Sequence, residues 1–156
     1  MSGMEERERK VLASLQRQCS RMECCPQDMR RKALRALDGD AEAADRIVAS
    51  LVEDKFVDEL RYASAFAREK ASLNGWGPVK ISYALAGKGI SGRIASEAME
   101  SIDAGAAGKR MEKLLEDRYR VLSGDPHCRL KMLKFALGRG YGYDEAAAAV
   151  DRIMKK

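Results

Sequence analysis

The chain has 156 residues, 46% of them hydrophobic and 34% charged, enough for one core of moderate size or several small ones in series. Its 29 Lys and Arg against 24 Asp and Glu leave a net charge of +5, which by itself favours neither nucleic acid nor an acidic protein as partner. No apolar stretch approaches the roughly 20 residues a bilayer span needs, and MSGMEERERK lacks the apolar core of a signal peptide, so the reading is a soluble, cytoplasmic protein.

Every segment reads as helix. Ser2 with Glu5 forms a capping box for a first helix reaching about Cys24, with Val11, Leu12, Leu15, Cys19 and Met22 on one face. A second helix runs from Pro26 to about Leu37 and stops at Asp38-Gly39-Asp40. The third, from Asp40 to about Asp54, places Ala43, Ile47 and Leu51 at helical spacing. The fourth is capped by Asp58 and ends near Leu73, before Gly75-Trp76-Gly77-Pro78. The fifth spans Pro78 to Gly87 and the sixth Ser91 to about Ile102. Gly105-Ala106-Ala107-Gly108 reads as the softest boundary, followed by a seventh helix over Lys109 to Leu122. An eighth, capped by Asp125-Pro126, ends at Gly138, and a ninth covers Tyr143 to Met154. Pro26, Pro78 and Pro126 each stand where a first helical turn would begin, the helical position proline tolerates best.

Nine helices sort into three triplets in register. Met29, Ile81 and Met132 are 52 and 51 residues apart, and so are Ala33, Leu85 and Ala136; Ala43, Ala95 and Ala146; and Ile47, Met99 and Val150. Four coincident apolar columns predict an all-α, elongated solenoid of three tandem three-helix repeats over residues 1–54, 55–104 and 105–156. A monomer with one face free for a partner is expected.

Cys19, Cys24, Cys25 and Cys128 form no C-x-x-C pair, and with the single His127 they make a poor zinc set. Reduced thiols in a reducing compartment are the simpler reading, and no metal or cofactor is expected. Nor do these residues suggest catalysis: there is no Ser/His/Asp arrangement, no phosphate loop after a strand, and no carboxylate pair in an evident cleft.

The string Asp58-Glu59-Leu60-Arg61-Tyr62-Ala63, continued by Phe66, Arg68 and Lys70, resembles the signature of the RecX family of recombination regulators. Trp76-Gly77-Pro78-Val79-Lys80-Ile81, Leu85 and Lys88-Gly89-Ile90 are similar to its next segment. Lys131 through Phe135 with Arg139-Gly140-Tyr141 resemble the third-repeat motif, and Met29, Arg30, Lys32 and Ala33 the first. Each motif alone is weak; their order along nearly the whole chain is specific. Glu59 stands where Asp is common, and Gly142 where Ser or Thr caps a helix, both acceptable in a first turn or cap. The resemblance implies a protein that binds the RecA recombinase assembled on single-stranded DNA, lies in the filament groove, and lowers its ATP turnover, strand exchange and co-protease activity.

The expected partner-binding residues are Asp58, Glu59, Arg61, Tyr62, Arg68, Trp76, Lys80 and Lys88. Several also have plain structural readings. Asp58 suits a helix cap with Arg61 as its ion-pair partner, and Tyr62 and Phe66 fit a core stripe. Trp76 is either a wedge between repeats or a partner anchor, and Gly89 and Gly140 read as left-handed helix stops. Arg30-Arg31-Lys32 reads as a solvated face. From Gly105 onward there are 12 Lys and Arg against 7 Asp and Glu, and 17 against 17 before it. The third repeat therefore offers a candidate basic patch of Arg129, Lys131, Lys134 and Arg139 for DNA phosphates or an acidic filament surface. Two rivals stand beside the regulator: a direct DNA-binding helical protein, which predicts tight, steeply salt-dependent duplex binding, and a scaffold for an unrelated protein.

Overall fold

A computed structural model describes residues 5–156. Among them are nine α-helices and no strand: α1 (Glu6–Arg21), α2 (Pro26–Ala36), α3 (Ala41–Glu53), α4 (Glu59–Ser72), α5 (Pro78–Gly87), α6 (Gly92–Met99), α7 (Ala104–Leu122), α8 (Cys128–Gly138) and α9 (Tyr143–Met154). They form three three-helix units in tandem, as the column period requires. Each unit closes its own core. Leu15, Met29, Ala33, Ile47 and Leu51 fill the first; Ala63, Ala67, Ile81, Leu85 and Ala95 the second; Leu115, Met132, Ala136, Ala146 and Val150 the third. Eleven of the twelve column residues are buried, and the twelfth, Met99, packs partly buried against the second core.

The repeat extends to backbone detail. The middle helix of each unit ends on the same hydrogen bond, from an N–H back to a carbonyl five residues earlier: Gly39 to Leu34, Ile90 to Leu85, and Tyr141 to Ala136. This stop needs a left-handed residue just before the donor. Gly89 (φ +78°) and Gly140 (φ +94°) supply it in the second and third units, and Asp38 (φ +53°) in the first, where an L side chain bears the conformational cost. The third helix of the first two units then starts on a side-chain cap: the Ala43 N–H donates to Asp40, and the Ile94 N–H to Ser91. Gly142 begins α9 without one.

The structure departs from expectation at several ends. The Ser2 cap lies outside the described residues, and α1 stops at Arg21, leaving Met22 59% exposed rather than on the buried face. Gly105-Ala106-Ala107-Gly108 is no break: α7 begins at Ala104, because the Asp103 carboxylate accepts from the Gly105 and Ala106 N–H groups and anchors the glycine-rich turns. Pro126 sits in a turn ahead of α8, which starts at Cys128. There Asp125 accepts from the His127 N–H instead of capping the helix.

Candidate partner-binding surface

The candidate residues of the second unit divide between its two junctions. At the start of α4, the Asp58 carboxylate accepts from the Arg61 N–H at 2.8 Å, as a cap should. Glu59 follows in the first turn, partly exposed. The Arg61 side chain turns away from Asp58. Its guanidinium bonds both oxygens of Glu23 at 2.7 and 2.8 Å and donates to the Lys55 and Phe56 carbonyls. The Glu23 hydrogen bonds hold the Arg61 pKa above its usual value. Arg61 thus ties the α1–α2 connection to the α3–α4 connection, a use of its fork that Lys could not reproduce.

Lys88 sits at the other end of this junction and donates to both Asp28 oxygens at 3.1 and 3.3 Å, while Gln27 donates to the Gly87 carbonyl at 3.2 Å. Burial opposes ionisation of Asp28, but hydrogen bonds from Lys88 and Cys25 outweigh it and bring the carboxyl below its usual range. Tyr62 is partly buried beside Cys25, and burial pushes its phenol up. Cys25 itself packs into the second unit's core. Arg68 is exposed on α4 with no carboxylate within salt-bridge distance among the described residues.

Trp76 and Lys80 face the junction with the third unit. Trp76 packs edge-on against Phe66, with ring centroids 6.4 Å apart, and the ammonium groups of Lys80 and Lys70 lie 4.5 and 5.1 Å from its ring centroid. Below it, two backbones touch. The Gly77 N–H donates to the Arg139 carbonyl at 2.7 Å and the Val79 N–H to the Gly140 carbonyl at 2.9 Å. A Cβ on Gly77 would stand 2.5 Å from the backbone of Gly140 and Tyr141. The Tyr141 hydroxyl, on a buried side chain, donates to the Gly75 carbonyl at 2.9 Å, and Arg139 donates to the Asn74 carbonyl at 3.0 Å. A largely apolar cavity of about 300 Å³ lies beside this joint, lined by Trp76, Ile81, Met99, Met111 and Tyr141, with Glu145 at its edge.

The basic residues of the third unit do not converge as four free cations. Arg129 pairs with Asp151 at 2.9 Å and Lys131 with Asp125 at 2.5 Å. Arg139 lies 5.4 Å from the Phe135 ring centroid and donates to the Asn74 carbonyl. Lys134 is exposed and has no carboxylate within salt-bridge distance among the described residues. Sequence reasoning missed Glu23, Gln27, Asp28 and Tyr141 as joint residues. The available signal was an acid or amide just before and inside the proline-marked start of α2, facing a basic helix end one repeat away.

The tandem three-helix architecture is shared by known proteins. Residues 58–99, from the Asp58 cap to the end of α6, match the family model described as RecX, second three-helix domain. The regulatory protein RecX of Clostridium tetani is 24% identical over 119 residues, covering 74% of this chain and 54% of that one. The regulatory protein RecX of Clostridium botulinum is 29% identical over 126 residues, covering 74% and 55%. By these matches the chain is similar to the RecX family. Its fold agrees with crystal structures of RecX. The Lactobacillus salivarius protein superposes with a TM-score of 0.85 at 19% identity, covering 98% of this chain and all of that one, and a second RecX superposes at 0.82 and 18% identity, covering 100% and 81%. The chain spans about half the length of the curated RecX relatives it matches. Among the described residues, no helix is long and apolar enough to cross a membrane.

Proposed function

We propose that this chain is a RecX-type regulator that binds the RecA recombinase filament on single-stranded DNA and restrains it, lowering ATP hydrolysis, strand exchange and co-protease activity. The observation that carries this reading is the match of residues 58–99 to the second three-helix domain of a regulator family, set in a tandem architecture that reproduces RecX structures along its whole length. Three units in series suit the task physically: contacts along a filament act as linked sites, so modest individual affinities combine. Partner contact is assigned to Glu59, Arg68, Trp76 and Lys80, whose side chains make no hydrogen bond to another unit among the described residues, while Arg61 and Lys88 are engaged in the bonds that set the relative placement of the units and Tyr62 packs beside Cys25.

Co-sedimentation tests it. The protein should pellet with RecA assembled on poly(dT) in the presence of a slowly hydrolysed ATP analogue, and bind naked duplex DNA only weakly at the same salt. Tight duplex binding without recombinase, weakened steeply by salt, would favour the DNA-binding rival instead.

A further inference from the structure

The charge of this chain is distributed by helix position rather than by repeat. The middle helices α2, α5 and α8 with their C-terminal caps (residues 26–37, 78–88 and 128–139) carry ten Lys and Arg against one acid, Asp28. The rest of the chain carries 19 Lys and Arg against 23 Asp and Glu. The middle helices are therefore net +9 and everything else is net −4, a contrast that the division into repeats conceals.

The structure also joins these helices end to end. The C-terminal end of α8 meets the first turn of α5 through the Gly77 and Val79 N–H bonds to the Arg139 and Gly140 carbonyls. The C-terminal end of α5 meets the first turn of α2 through Gln27 to Gly87 and Lys88 to Asp28. The order α8, α5, α2 thus makes one ridge along the molecule, up to about 50 Å long at 1.5 Å per residue.

Its outward line is set by the buried columns. With Met29/Ala33, Ile81/Leu85 and Met132/Ala136 facing the cores, the opposite faces carry Arg35 on α2, Val79 and Tyr83 on α5, and Leu130, Lys134 and Leu137 on α8. Tyr83 is 83% exposed, Val79 60%, Leu130 52% and Leu137 44%. Neither α5 nor α8 contains an Asp or Glu, and Asp28 is engaged by Lys88 and Arg31. Several middle-helix cations pair with acids, Arg30 with Asp45, Arg129 with Asp151 and Lys131 with Asp125. Arg35 and Lys134, however, are exposed with no carboxylate in salt-bridge range among the described residues, and they flank four exposed large apolar side chains, which mark a binding surface.

We propose that this end-to-end ridge of middle helices is the surface on which the chain docks, and that its occupant is an acidic protein surface presenting apolar side chains. The cations match the charge of such a partner. The four apolar residues favour protein over nucleic acid backbone, since aliphatic groups gain little against phosphates whereas protein interfaces centre on apolar and aromatic anchors. The proposal rests on the preceding reading, with protomers of the recombinase filament as the acidic surface.

The test compares three variants with the parent, all checked for parental helicity by circular dichroism. Arg35→Glu/Lys134→Glu reverses two ridge cations. Tyr83→Ser/Leu130→Ser removes two apolar anchors. Arg17→Glu/Arg93→Glu makes the same charge change on exposed residues of α1 and α6. Affinity is measured for RecA on poly(dT) and, separately, for poly(dT) alone. Both ridge variants should lose about thirtyfold or more toward the filament, and the control less than about threefold. Equal losses in the ridge and control charge reversals would reduce the ridge cations to overall charge, and an unchanged affinity of Tyr83→Ser/Leu130→Ser would remove the apolar anchors; either overturns the proposal. Losses that appear equally on naked poly(dT) would make it a nucleic-acid surface and overturn it too. If the parent does not bind the filament at all, the regulator reading itself fails and takes the partner assignment with it, a result distinct from filament binding that ignores the ridge.

Discussion

Gly77 gives the sharpest test of how the second and third units are joined. Its φ of −84° is ordinary for any residue, so Gly77→Ala introduces no backbone strain, only a methyl group. That methyl would lie 2.5 Å from the carbonyl carbon and oxygen of Gly140 and the nitrogen of Tyr141, backbone atoms that cannot swing aside. Restoring van der Waals distance separates the two backbones by about 1 Å, which takes the Gly77–Arg139 and Val79–Gly140 bonds beyond hydrogen-bonding range. Each is worth about 0.5–1.5 kcal/mol net, and the Tyr141–Gly75 bond spans the same joint, so the expected loss is about 2–3 kcal/mol. Gly108→Ala is the control: a site inside α7 with nothing within 4 Å of the new Cβ, where relief of glycine's entropy should add about 0.5–1 kcal/mol. Equilibrium urea unfolding followed by circular dichroism reads both. Because the three cores are separate, the loss can emerge as a split of one transition into two. A Gly77→Ala protein as stable as the parent, with a single unchanged transition, would refute the backbone joint.

Gly140→Ala should cost more than Gly77→Ala, because it adds left-handed strain (φ +94°) to a clash with the Lys80 backbone; urea midpoints rank the two. Asp38→Gly should stabilise by about 0.5–1 kcal/mol, since Asp38 alone fills with an L side chain the left-handed stop that Gly89 and Gly140 occupy, and its ion pair with Arg7 is too exposed to offset the gain. A lowered thermal midpoint would contradict that equivalence. Glu8→Ala should cost about 2–4 kcal/mol, measured by the same unfolding, because Glu8 is buried and receives a two-pronged bond from Arg46. The cysteines should resist a disulfide reagent at pH 8 until the chain is unfolded: all four are buried, and burial pushes the Cys24 thiol up to about 12, leaving little thiolate below pH 9. Stoichiometric labelling of the folded protein within minutes would be the opposing result.

Periodic burial was legible in the sequence because it is local. Met29, Ile81 and Met132 face three cores for the reason their spacing suggests, and Pro26 and Pro78 open helices where a missing N–H costs nothing. What the sequence hid lies across long separations. Arg61 has Asp58 three residues away, yet its guanidinium reaches Glu23, 38 residues off, because Asp58 already serves the backbone and a forked side chain gains more from two acceptor sets. Gly77 looked like part of a loose break. It is a direct backbone contact between two units, which only the partner Gly140 makes visible. Gly105 and Gly108 suggested a boundary by composition, but one carboxylate at Asp103 outweighs their low propensity and carries α7 through them. The pairing of the third unit's cations was hidden for a related reason: Arg129 meets Asp151 from α9, 22 residues away, and Arg139 donates to the Asn74 carbonyl in the second unit.

The proposed restraint of the recombinase is tested most directly by the single-stranded-DNA-dependent ATPase of RecA with and without this protein. Sub-stoichiometric protein should slow hydrolysis progressively, and strand exchange with it, because one chain of three linked units restrains several protomers. Unchanged ATP turnover at saturating protein, with no sedimentation of the protein with the filament, would contradict the account.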